Sequence, residues 1–185
     1  EDEFIGVMKA SDDFDLLWLE EEFNYEVRQK LADHPYWSED DLGNLDKGVP
    51  LDQIKDQVGP SSGNLPLYRQ DGRLIGVVNR AHDLDASLFA DVLLENLATK
   101  AAAVMAVKTL LGDLDVEAGS IPYILNCGEE AVGDRYQRGG GNLAKAVGEL
   151  CGCVAATGSD IKAFCCGPNH AIAIGASLVY SGLFE

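Results

Sequence analysis

Cys165-Cys166-Gly167-Pro168 is the stretch of this sequence whose residue types could do covalent chemistry. It sits inside GSDIKAFCCGPNH, residues 158–170, ahead of an Ala-, Ile- and Leu-rich run over 168–183 that predicts a helix. Pro168 suits the first turn of that helix, where a missing N–H costs nothing. A thiol at a helix start meets unpaired backbone N–H groups and a partial positive charge, and both favour the thiolate. Such a thiolate could attack an activated acyl group and hold it as a thioester. Gly167 would allow close backbone approach, and neighbouring N–H groups would stabilise the oxyanion. Cys165 is the expected nucleophile, with Cys166 as its rival. His170 follows Cys165 by five residues, roughly 140° around a helix, so it is expected to support the site rather than act as the catalytic base. The competing reading is that a cysteine in an apolar segment only packs.

Two further groupings could do chemistry. The run from Asn126 to Gly141 contains Glu129, Glu130, Asp134, Arg135 and Arg138 and ends in Gly139-Gly140-Gly141. The three glycines could offer backbone N–H groups to an anion, with Arg135 and Arg138 as its partners. The run fits neither dinucleotide-binding nor P-loop spacing, and a structural loop with internal ion pairs explains the same residues. Arg80-Ala81-His82-Asp83 closes an apolar run, where α/β sheets tend to place ligands. A His–Asp pair could do acid–base work, but a hydrogen-bonded surface pair is the favoured reading.

The elements that must position these residues follow from pattern. Residues 13–33 predict an amphipathic helix with an apolar stripe of Leu16, Leu17, Trp18, Leu19, Phe23 and Val27. Residues 34–64, rich in Asp, Gly, Pro and Ser, predict a long connection with a short helix at 51–58. Leu65–Gln70 and Arg73–Asn79 flank Asp71-Gly72 and predict a hairpin with a mirror-image two-residue turn. Residues 87–111 predict a long helix that Ser87 could cap. Short strands are expected at 122–127, 153–156 and 161–164, with a helix at about 141–152 between the first two. Strands alternating with helices from residue 74 imply an α/β layer on a buried, mainly parallel sheet. The division expected is an acidic helical appendage and linker over 1–64 and an α/β unit over 65–185.

Composition excludes several functions. The chain has 185 residues and a net charge of −17, with 17 acidic and 5 basic residues in its first 60. It would repel nucleic acid and anionic membranes. No apolar run reaches the roughly 18 residues of a membrane span, and an acidic start is unlike a signal peptide, so the cytoplasm is the expected compartment. Five cysteines, an odd number without C-x-x-C spacing, argue against a disulfide framework and against zinc. No metal and no cofactor is expected. The lack of an initiator Met and the apolar finish before Glu185 suggest a piece of a longer chain.

EEAVGDRYQRGGGNLAKAVGE (129–149) and ATGSDIKAFCCGPNHA (156–171) resemble the component C beta subunits of glycine/sarcosine/betaine reductase complexes, as do RAHDLD (80–85) and VLLENLATKAA (92–102). The resemblance runs over about residues 4–185. It implies a thiolase-like layered α/β fold, here its N-terminal half and incomplete. It also implies a chemistry. A selenoprotein partner, component A, carries a carboxymethyl group whose reductive cleavage yields an acetyl group. The thiolase-like subunit holds that acetyl as a thioester on the cysteine matching Cys165. The alpha subunit of component C then passes it to phosphate, giving acetyl phosphate. A thiolase-type homodimer is implied as well. Cys166 departs from the small residue expected after the nucleophile. The His or Asn residues that thiolase-like enzymes take from their C-terminal half are not in this sequence, so the chain alone is expected to turn over little substrate. A ketoacyl-synthase-like condensing enzyme and a non-catalytic partner-binding scaffold are the alternatives.

Overall fold

The computed structural model describes residues 1–128, 136–137 and 142–184. The chain opens with α1 (Asp2–Ala10), whose Val7, Met8 and Ala10 are buried. The helix expected over 13–33 divides into β1 (Leu17–Leu19) and α2 (Glu21–Ala32). Two local features cause the division. Asp15 takes a left-handed backbone, φ 52°, which Asp tolerates but a helix does not. The buried Asp12 carboxylate accepts the Leu17 N–H at 2.7 Å, holding the chain extended there. Leu17 and Leu19 then face the core, while the partly covered Trp18 takes the other face. Glu20 starts α2 by accepting the Glu22 and Phe23 N–H groups, both at 3.1 Å.

The expected short helix is α3 (Leu51–Gln57). The hairpin is β2 (Leu65–Tyr68) and β3 (Leu74–Val78), antiparallel and joined by a turn that the Gly72 N–H closes on the Arg69 carbonyl. Gly72 has a positive φ and Asp71 does not, so the turn is not the mirror-image pair expected. β1 also pairs antiparallel with β3, Leu17 opposite Val78, giving the order β1-β3-β2. The second sheet has two parallel strands, β4 (Tyr123–Cys127) and β5 (Thr157–Ile161), with Cys127 opposite Ile161. The expectation of a mainly parallel sheet from residue 74 is therefore corrected: β3 is antiparallel to both its neighbours, and the parallel part is β4 with β5. The mixed α/β class itself holds.

α4 (Ala90–Asp113) joins the two regions. Its Leu93, Leu97 and Ala101 enter a core with Val7, Leu17, Phe23, Leu31, Ile75 and Val78. Its Val104 enters a second with Leu143, Val147, Cys151 and Cys153. Full burial of such large apolar side chains contributes about 1.5–3 kcal/mol each. Residues on both sides of position 64 line the first core. Lys100, fully buried in α4, reaches Asp13 at 3.2 Å. Ser87 does not cap α4. It lies in a 3-10 turn, where Asp85 accepts its N–H and hydroxyl at 3.1 and 2.6 Å, and α4 begins three residues later.

α5 (Leu143–Leu150) packs on the parallel pair, and α6 (Gly167–Tyr180) follows β5. The strands expected at 153–156 and 161–164 are replaced by one strand between them. Cys153 and Ala156 close backbone turns onto Gly148 and onto Cys153, while Thr157–Ile161 finds its ladder on β4 despite a Gly-Ser-Asp centre with weak strand preference.

Candidate functional site

β5 runs through Lys162 and Ala163 into one 3-10 turn, Phe164–Cys166, and then directly into α6. The Cys166 N–H closes this turn on the Ala163 carbonyl at 3.0 Å. Phe164 has φ 46°, the left-handed region that an aromatic residue rarely adopts. Such positions cost of order 1–3 kcal/mol and gather at functional turns. The elbow lifts Cys165 and Cys166 into solvent, and both are free and exposed. Cys166, rather than Cys165, is the residue that caps α6, and its sulfur accepts no helix N–H.

Gly167 is the one buried residue of α6. It packs on Cys127 at the end of β4. A Cβ at position 167 would lie 3.3 Å from the Cys127 Cβ and 3.9 Å from its Sγ. A third, half-buried thiol thus lies beneath the elbow, which sequence spacing could not reveal because it arrives from 38 residues upstream. The remaining two thiols differ. Burial pushes Cys151 up to about 12, its Sγ lying 3.7 Å from the Val104 carbonyl, and burial also raises Cys153. A thiol kept protonated in this way is a poor nucleophile.

Asp160 holds the elbow's strand in place. Its carboxylate accepts the Leu143 and Ala144 N–H groups at 2.9 Å each, and the Asn126 side-chain amide at 3.3 Å. One carboxylate therefore links β4, β5 and the start of α5, where helix polarity favours negative charge. Asn142 completes this join by accepting the Lys145 N–H and donating to the Gly158 carbonyl, both at 3.0 Å. The sequence carried no signal for this role of Asp160, because its partners come from strand register rather than from linear spacing.

His170 is exposed on α6, and its side chain makes no hydrogen bond or ion pair among the described residues. Arg135, Arg138, Gly139, Gly140 and Gly141 lie outside the described residues, and between 129 and 141 only Tyr136 and Gln137 are described. Tyr136 meets Phe14 edge to face, centroids 4.8 Å apart, and the buried Gln137 donates to Asp12 at 2.8 Å. The Arg80 cluster forms no His–Asp pair. His82 Nδ1 accepts the Leu84 and Asp85 N–H groups at 3.1 and 2.9 Å, and Asp83 turns instead to Arg80 at 3.0 Å. Among the described residues, no group of three His, Cys, Asp or Glu side chains is placed to hold a metal, and no helix is long and apolar enough to cross a membrane.

Fold and site together define a mixed α/β chain that presents a cysteine pair on a strand–turn–helix elbow. Along its whole length this chain is 46% identical, over 189 aligned residues, to the glycine/sarcosine/betaine reductase complex component C subunit beta of Peptoclostridium acidaminophilum. The likeness runs along this chain from end to end, as the loop and cysteine motifs implied, and the chain spans 36% of the length of that subunit. No family model matches the chain, and no solved structure does.

Proposed function

We propose that this chain is the part of a component C beta subunit that bears its acyl-accepting thiol, with Cys165 as the nucleophile. The observation that carries the reading is the elbow: an exposed cysteine follows a left-handed Phe164 between a paired strand and a helix. A strained strand-to-helix turn is how unrelated acyl-transfer enzymes hold a nucleophile clear of the backbone. In the proposed step the Cys165 sulfur bonds to the carbonyl carbon of an activated acetyl group, and the donor's leaving group departs. Phosphate then attacks the thioester, releasing acetyl phosphate and regenerating the thiol. Arg135, Arg138 and the Gly139–Gly141 run are proposed to bind an anion in this sequence, and His170 to support the turn.

In this reading the acetyl group derives from the carboxymethyl group on the selenoprotein component A, released by a two-electron reductant outside this chain before Cys165 takes it up, and the phosphate step belongs to the alpha subunit of component C. The proposed surroundings are a thiolase-like layered fold, a homodimer and the cytoplasm, and the chain alone is expected to turn over little. A second reading, a partner-binding scaffold, is favoured by α6 itself: Ile172, Val179 and Tyr180 are 71%, 60% and 95% exposed on one apolar helix. The two separate on one experiment. In the assembled complex, Cys165→Ala should abolish acetyl phosphate formation while Cys166→Ala retains it. Unimpaired formation by Cys165→Ala would leave the scaffold reading standing.

A further inference from the structure

An open cleft of about 570 Å³ lies at the end of β3, lined by Gln57, Asn64, Arg80, His82 and Asp83. Its Arg80 and His82 are held in place. The Arg80 N–H donates to Asn64 Oδ1 at 3.0 Å. The Arg80 side chain lies flat on Gly63, where an added Cβ would come 2.8 Å from Nη1 and 2.9 Å from Cδ. Gly63 also has φ 70°, a backbone conformation that favours glycine. His82 Nδ1 is occupied as an acceptor by the Leu84 and Asp85 N–H groups. The neutral ring must therefore carry its proton on Nε2, leaving that N–H as a donor. Among the described residues, Nε2 has no acceptor, and the guanidinium bonds only to Asp83.

The geometry points to an oxyanion site in this cleft, in which a small carboxylate or phosphate is held by the Arg80 guanidinium and the His82 Nε2–H. Asp83 is its internal occupant. The Asp83 carboxylate sits on Arg80 Nη2 at 3.0 Å, where a ligand oxygen would bind, yet its side chain is 79% exposed. An exposed ion pair of this kind is weakly held, so an incoming anion that adds a second bond at His82 can displace it. The site is separate from the cysteine elbow and does not depend on the acetyl-transfer reading.

The experiment titrates inorganic phosphate and, separately, acetate into the chain, reading the His82 imidazole by NMR. Saturable shifts at His82 with either probe support the site, and the probe that binds identifies the oxyanion. Asp83→Asn removes the internal competitor from a surface position and should tighten binding roughly fivefold. Arg80→Gln should abolish it. Absence of a saturable His82 shift with both probes overturns the proposal, as does binding that Asp83→Asn weakens. Asp83 lies in no core, so its variant tests the site even if Arg80→Gln fails to fold.

Discussion

Buried Cys151 gives a quantitative test of how the fold sorts its thiols. Burial pushes it up to about 12, against 9.0 for an unperturbed thiol. At any pH below both values its thiolate fraction is therefore about a thousandfold smaller than that of an ordinary thiol. Access widens the gap, because Cys151 is 5% exposed while Cys165 and Cys166 stand in solvent. Pulsed alkylation with iodoacetamide at neutral pH, followed by peptide mapping, should label Cys165 and Cys166 first and spare Cys151. In denaturant all five cysteines should react at comparable rates. Labelling of native Cys151 within about tenfold of Cys165 would mean that neither burial nor thiolate fraction governs reactivity.

The same thiol sets an alkaline limit on stability. Folded Cys151 keeps its proton to about pH 12, whereas the unfolded thiol loses its own near 9.0. The Cys151 contribution is thus unaffected below about pH 9 and falls by up to about 1.4 kcal/mol per pH unit above it; urea unfolding at about pH 8 and about pH 10.5 should show a fall that Cys151→Ala makes shallower. Asp160→Ala strips two N–H groups of their acceptor at the start of α5 and should cost about 1–2 kcal/mol in urea unfolding, with Asp160→Asn costing less. Gly167→Val drives a side chain into Cys127 and should cost about 1–3 kcal/mol, part of which Cys127→Ala recovers; an unchanged unfolding midpoint for Gly167→Val would contradict the packing.

Periodicity made α4, α5, α6 and the β2–β3 hairpin legible, because long apolar repeats and an Asp-Gly turn are local signals. The N-terminal segment was not legible in the same way. Leu16 to Val27 carries a helical stripe, yet Asp12 and the left-handed Asp15 divert Leu17–Leu19 into pairing with β3, a partner some sixty residues away. Thr157–Ile161 is a second case, since its ladder with β4 overrides a Gly-Ser-Asp centre. At the site, the cysteine pair and the helix after it could be read from Cys-Cys-Gly-Pro. The identity of the capping residue, Cys166, could not, because one residue of 3-10 turn decides it. Cys127 beneath Gly167 and the Asp160 clasp on α5 depend on strand register, which a linear pattern does not carry.

We propose that the elbow delivers one sulfur, that of Cys165, to an acyl group. Incubating the assembled complex with acetyl phosphate, quenching in acid and fragmenting the 162–180 peptide would locate any thioester directly. A single acetyl group is expected on Cys165, lost on hydroxylamine treatment and absent from Cys165→Ala. An acetyl group on Cys166, or none on either sulfur in a complex that still makes acetyl phosphate, would contradict it.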